Sequence, residues 1–291
     1  MPNIKKIRRT VNRNRLKITL CAAAIAAVIY FLFIKGPSDQ TLVINKSDPS
    51  NSPSPAASPT PNPNIQNLLQ SQIQALPGNY NVVIKDLKTN ETYSTRKDQK
   101  IPTASIYKLA VMYKTFDALE KNRLKKDEIL SGDISVSKAL ERMITVSDNE
   151  SALLLAENLG WSNINKFLED EGIIGFNLMV KDYPTTTAAA VSDLLERIYR
   201  KTAVSKNASE EMLKLLLAQE RNDRIPLNLP LNINVAHKTG ELDNFRHDAG
   251  IVFGTKGDYI FVFLTETPDP AITVSNIAKI SKIMFEALEK Y

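Results

Sequence analysis

Apolar residues follow three different patterns along this 291-residue chain, and each pattern predicts a different kind of segment. From 18 to 34 they run almost without interruption and without charge. At about 1.5 Å per residue, such a run is near the short limit for a single helix crossing a hydrocarbon core. From 35 to 64 they thin out among Pro, Ser, Asn and Thr, as in Ser52-Pro53-Ser54-Pro55 and Pro59-Thr60-Pro61-Asn62-Pro63. That composition buries too little apolar surface to offset the entropy of ordering, so a disordered, extended linker is expected.

From 65 to 291 the apolar positions become periodic. Helical spacing predicts helices over 65–75, from Ser105 onward, and over 137–145, 151–159, 164–170, 188–201, 209–219 and 272–288. In the second of these, Ile106, Leu109, Ala110, Tyr113 and Phe116 share one side. Alternating or short apolar runs predict strands over 80–87, 91–94, 235–238, 249–254 and 259–265. Strands at both ends with helices between them give an α+β domain. Its antiparallel sheet is built from both ends of the segment, and a helical subdomain is inserted. A cleft between sheet edge and helical lobe is the natural place for a site.

Charge then sets a direction. Lys5, Lys6, Arg8, Arg9, Arg13, Arg15 and Lys17 precede the apolar run with no acid among them. By the positive-inside rule, 1–17 is a cytoplasmic tail, 18–34 a signal-anchor helix, and everything beyond it extracytoplasmic. A cleaved signal peptide competes, with Ala22 to Ala27 as its small residues, but the bulky Val28 to Ile34 stretch follows them directly and favours retention. Cys21 is the only cysteine and lies in the anchor, so the exported part forms no internal disulfide. Lipidation of Cys21 is disfavoured by the bulky Leu20 before it. Taking the seven tail cations from the formal net charge of +5 leaves −2 for the remainder, which is no footprint for nucleic acid.

Three polar strings then stand out: Ser105-Ile106-Tyr107-Lys108, Ser147-Asp148-Asn149 and Lys238-Thr239-Gly240. A Ser with Lys three residues later is common, and Ser94 with Lys97 and Ser135 with Lys138 show it here as well. Ser105 differs in starting an apolar helix after Pro102-Thr103-Ala104. This puts Lys108 one turn away on the same face, and the free N–H groups of the first turn near any developing oxyanion. Ser147-Asp148-Asn149 falls where one helical pattern stops and another begins, so it suits a cap or a proton relay. Lys238-Thr239-Gly240 ends a strand, where a lysine makes sense facing a cleft and Gly240 permits close approach of a substrate.

In that order and context the three strings resemble the penicillin-recognising serine enzymes, and the class A β-lactamases in particular. The resemblance spans essentially all of 65–291 and implies the β-lactamase/transpeptidase-like fold. It implies Ser105 as the acylated nucleophile and Lys108 as the group that takes its proton. Ser147 would pass a proton to the leaving nitrogen, Asn149 would hold the substrate amide carbonyl, and Lys238 and Thr239 would meet its carboxylate. The backbone N–H groups of Ser105 and Glu241 would form the oxyanion hole. Chemically, Lys108 serves as a base near neutrality only if its pKa is lowered, which a desolvated cleft and a second ammonium at Lys238 would do.

One departure concerns release of the acyl group. The glutamate that class A enzymes carry on a long loop has no recognisable counterpart between Glu171 and Pro184. Asp182 is the carboxylate placed to substitute, with Glu171 second because it ends a helix. The only histidines, His237 and His247, have no nearby ligand cluster, so structural or supporting roles are expected and no metal or other cofactor is implied. The expected activity is therefore β-lactam opening through an acyl-enzyme on Ser105, by a membrane-anchored monomer. The alternative is a penicillin-binding or D-alanyl peptidase-like enzyme or sensor with slow deacylation. A silent wall-binding domain is disfavoured, because it has no need to keep Ser105, Lys108, Ser147 and Lys238 together.

Overall fold

The computed structural model describes residues 60–180 and 182–290. The predicted tail, anchor helix and nearly all of the linker lie outside the described residues. Among the described residues, no helix is long and apolar enough to cross a membrane.

Asn62 caps α1 (Pro63–Gln74), its side chain accepting from the Asn64 N–H at 3.0 Å, and Pro63 supplies a first-turn proline. The hairpin β1 (Asn79–Asp86) and β2 (Thr92–Thr95) follows, then the short strand β3 (Ile101–Pro102). A 3-10 turn over Ala104–Ile106 leads into α2 (Tyr107–Glu120). Next come a small ladder of β4 (Ile129–Ser131) with β5 (Ile134–Ser135), then α3 (Val136–Thr145), α4 (Asn149–Leu159) and α5 (Trp161–Asp170). After a loop and β6 (Thr185–Thr186) come α6 (Ala188–Tyr199) and α7 (Lys206–Leu217). The chain returns through β7 (Asn234–Leu242), β8 (Phe245–Phe253) and β9 (Asp258–Glu266) to α8 (Pro270–Leu288).

The five-stranded sheet has the order β2-β1-β9-β8-β7, and every pairing is antiparallel. Strands from the two ends of the domain thus meet at β1 and β9, with the helical segment inserted between them, as the sequence pattern predicts. Strand β7 forms one edge of the sheet.

Two differences from the predicted elements have physical causes. Strand β1 does not alternate, because the sheet is covered on both faces. Val83, Ile260 and Val262 face one core with the helical lobe, while Val82, Phe261 and Phe263 face a second core with α1 and α8. Helix α2 is not one-sided either. Lys108 through Tyr113 are all buried, since α3, α4, α5 and α7 pack around it.

Candidate active site

The nucleophile candidate sits on a bend rather than in the first turn of an α-helix. Ala104 holds φ +44°, in the left-handed region where a Cβ is disfavoured, and Ser105 is central in the 3-10 turn before α2 begins at Tyr107. Three contacts fix this turn. Thr103 N–H donates to the Pro184 carbonyl at 2.7 Å, β3 pairs with β6 through Ile101–Thr186 and Pro102–Thr185, and the Pro102 carbonyl faces Nε2 of His247 at 2.9 Å. Such two-residue strands carry no periodicity, so no pattern in the chain marks them.

The turn also packs on β7. A Cβ at Gly240 would lie 3.3 Å from the Ala104 Cβ and 3.2 Å from Ile106 Cγ1, so glycine is what lets the edge strand come up against the serine turn. The strand runs on to Leu242, four residues beyond the predicted end. Lys238, Thr239, Gly240 and Glu241 are therefore strand positions with alternating faces. The Thr239 carbonyl accepts from Lys238 Nζ at 2.8 Å, off the ladder. Backbone groups of alternate residues in an antiparallel strand point the same way, so the Glu241 N–H also faces the open edge.

Four of the predicted residues meet in one cluster, where two lysines converge on the Ser147 hydroxyl. Lys108 Nζ donates to the Ser147 carbonyl at 2.6 Å, Ser147 Oγ at 3.1 Å and Asn149 Oδ1 at 2.7 Å. Lys238 Nζ reaches the same Oγ at 2.9 Å from β7. Ser147 has φ +60°, a left-handed turn that presents both its carbonyl and its hydroxyl to Lys108. Asp148 between them caps α4, with Oδ1 accepting from the Ser151 N–H at 2.8 Å. The helix cap expected of this string thus falls to Asp148, and the Ser147 hydroxyl is left to the two lysines.

Both ammoniums are fully buried. Burial pushes Lys108 down to about 8, against an opposing upward pull from the charge of Asp148. Burial pushes Lys238 well below its usual value, and the like charges of Lys108, Arg221 and Arg224 add to this while Asp248 opposes it. Lys238 therefore gives up its proton more readily than a solvated lysine.

The histidines hold the frame. His247 Nδ1 accepts the Thr265 N–H at 3.0 Å, so Nε2 carries the proton given to Pro102, and burial lowers its pKa to about 4. His237 points to the other face of β7 from Lys238, with Nδ1 2.8 Å from Asp248 and Nε2 3.0 Å from Asn222 Oδ1. Among the described residues, no group of three or more His, Cys, Asp or Glu is placed to hold a metal ion.

The decoy pairs have local explanations. Ser135 caps α3 and Lys138 pairs with Asp133, while Lys97 pairs with Asp98. Glu171 ends α5 and accepts from the Tyr113 hydroxyl at 3.1 Å, which makes it a packing contact of the helical lobe. Asp182 is exposed, and among the described residues no hydrogen bond joins it to the lysine and serine cluster.

Sequence reasoning missed Arg224, whose side chain is fully buried next to β7 and donates to Glu241. The cluster Arg221-Asn222-Asp223-Arg224 lies in a loop with no periodic pattern, and only its two cations, spaced three apart, hinted at it.

The β-lactamase enzyme family model matches residues 62–288. The chain belongs to the β-lactamase enzyme family. Solved structures of similar fold include PBP-A, at 21% identity and TM-score 0.73 over 80% of this chain and 99% of that one. A β-lactamase from Chitinophaga pinensis DSM 2588 matches at 21% identity and TM-score 0.72, over 77% and 99%. A class A β-lactamase representative from Bacteroides cellulosilyticus DSM 14838 matches at 22% identity and TM-score 0.71, over 80% and 100%. No curated protein sequence matches the chain.

Proposed function

We propose that this family member opens β-lactam rings through an acyl-enzyme on Ser105. The observation that carries this is the convergence of Lys108 and Lys238 on Ser147 Oγ, beside the turn that bears Ser105. An incoming carboxylate would favour the charged form of Lys238. That charge would in turn hold Lys108 neutral and able to take the Ser105 proton. The Ser105 and Glu241 N–H groups would receive the oxyanion, Asn149 the side-chain amide of the substrate, and Ser147 would deliver a proton to the departing nitrogen.

The membrane part of the proposal rests on sequence: a cytoplasmic basic tail, an anchor over 18–34 and a linker that holds a monomeric domain outside the cytoplasm.

The test is intact mass and product release for the full-length protein incubated with a penicillin. One adduct on the wild type and none on Ser105→Ala is the expected result. An adduct on Ser105→Ala overturns the assignment.

A second outcome has its own support. The exposure of Asp182 and its lack of any hydrogen bond to the cluster favour slow deacylation, as in a penicillin-binding or D-alanyl peptidase-like enzyme. A mutant of PBP-A, a protein of similar fold at TM-score 0.74, was solved as an acyl-enzyme complex with penicillin G. An adduct that lasts for hours selects this alternative, whereas product in excess of enzyme selects the β-lactamase. If Asp182 serves as the base, Asp182→Asn prolongs the adduct.

A further inference from the structure

Beyond the lysines and serines, the cleft edge holds a second set of charges with an unusual arrangement. Glu241 is shared by two arginines: Arg221 Nη1 lies 2.5 Å from one carboxylate oxygen and Arg224 Nη2 donates to the other. Arg224 is 0% exposed, while Arg221 is 49% and Glu241 37% exposed. The buried guanidinium thus lies beneath a carboxylate that itself borders solvent. Arg224 Nε and Nη1 are buried with no hydrogen-bond partner among the described residues, Nη1 standing 3.5 Å from Asp223 Oδ1 as an ion pair only. A buried guanidinium with open donors is costly unless something else uses them.

The arginine segment is held rigidly at both ends. Glu220 N–H donates to the Thr145 carbonyl at 3.0 Å, and Ile225 N–H donates to Asp248 Oδ2 at 3.0 Å. On β7, Thr239 and Glu241 share a face, and Lys238 reaches round the open edge from the other. A carboxylate placed between Lys238 and Thr239 therefore arrives next to the two arginines, where Glu241 already sits.

We propose that the Glu241 side chain is a resident carboxylate on the Arg221 and Arg224 pair, occupying the position an acyl donor's own carboxylate would take. Glu241 is thereby a specificity-determining residue. Donors whose carboxylate reaches the arginines must displace it, and donors without a carboxylate have nothing to displace and nothing to gain. This inference rests on the acyl-transfer reading of the site.

The sign of one substitution separates it from a structural role. If Glu241 competes, Glu241→Gln speeds Ser105 acylation by benzylpenicillin. The gain is about tenfold or more, the scale of a charge-assisted hydrogen bond no longer contested. Benzylpenicillin methyl ester shows no comparable gain, so the ratio of the acid rate to the ester rate rises. If Glu241 only positions Arg224, the free acid reacts more slowly or no faster, and the proposal falls. Asp243→Asn removes the same charge two residues away without touching the arginines, and its effect stays within about twofold because exposed charges are screened. An equal gain from Asp243→Asn overturns the proposal.

Equilibrium binding gives a second measurement. N-acetyl-D-alanyl-D-alanine and its C-terminal amide are titrated into Ser105→Ala and into Ser105→Ala with Glu241→Gln or Glu241→Ala. Tighter binding of the acid alone in either double variant supports the competition, and unchanged or weaker binding defeats it. A wild type that never acylates refutes the acyl-transfer reading, while this binding arm still decides the role of Glu241.

Discussion

The ammonium of Lys238, on the edge strand, meets the hydroxyl of Ser147, between two helices, at 2.9 Å. Lys108 reaches the same oxygen at 3.1 Å. A hydroxyl has two lone pairs and one proton. With both lysines donating, the Ser147 proton is directed away from them into the cleft. When either lysine is neutral, the hydroxyl has an amine to which it can pass that proton. In the proposed acylation this hydroxyl would act as a relay whose direction depends on which lysine is charged.

Removing the shared oxygen breaks the relay without removing a cap. Ser147→Ala is expected to slow acylation by about 10²- to 10⁴-fold, the usual worth of a positioned proton-transfer group. Its thermal unfolding midpoint should stay close to that of the wild type, because α4 is capped by Asp148. Stopped-flow acylation with a chromogenic β-lactam, alongside thermal melts, checks both halves.

Asp148 gives the converse. Asp148→Ala is expected to cost about 1 kcal/mol of stability through loss of the helix cap. Asp148→Asn keeps a capping side chain but removes the charge that raises Lys108. Its acylation profile should shift to lower pH than that of the wild type. Chemical denaturation of the two variants and one pH series on Asp148→Asn are sufficient tests.

Acylation of the wild type should rise with pH through about 8 and then level off, because the neutral form of Lys108 is the base and its pKa is lowered to about 8. The folded pKa is below the unfolded one, so the unfolded chain binds the proton more tightly between these values and stability rises with pH across the same window. A rate that falls with increasing pH above 7 would contradict the role of Lys108.

His247 makes an acid-side prediction. Its folded pKa is depressed to about 4 from 6.5 by burial, so the contribution to stability is complete above 6.5 and is lost as pH falls toward 4. The loss is on the order of 3 kcal/mol at one pKa unit per ~1.4 kcal/mol. His247→Asn should be less stable at pH 7, with a flatter dependence between pH 4 and 6.5. Urea midpoints at these pH values provide the comparison.

Gly240→Ala tests the contact between β7 and the serine turn. The added methyl must displace Ala104 and Ile106 by a few tenths of an ångström. Acylation should fall by about tenfold or more, given how steeply rate depends on the placement of reacting groups. An unchanged rate would show that the turn has slack.

Much of this architecture was legible in the residues. Helices α1, α3, α4, α6 and α8 follow periodicity closely, because each buries a face of regular spacing, whereas strands β1, β8 and β9 show as apolar runs, because the sheet is covered on both faces. The β3 and β6 pairing was not legible, since two residues have no period. Helix α2 read as one-sided because Lys108, Thr115 and Asp117 look like surface residues, and only packing by four neighbouring helices buries them. Arg221 and Arg224 were overlooked for a similar reason. A loop arginine looks solvated until the strand it faces is in place.

By itself the sequence determined the chemical inventory: a serine with a lysine one turn on, a second hydroxyl with its amide, a second lysine on a strand, and the α+β order of elements around them. Local spacing suffices for these, because helices and strands bring near residues together by fixed geometry. The tertiary structure alone decided that Lys108 and Lys238 share Ser147 Oγ, that His247 braces Pro102, and that Glu241 covers Arg224. Those relationships join residues far apart in the chain. Their energies depend on desolvation, which exists only once the sheet and the helical lobe have closed on each other.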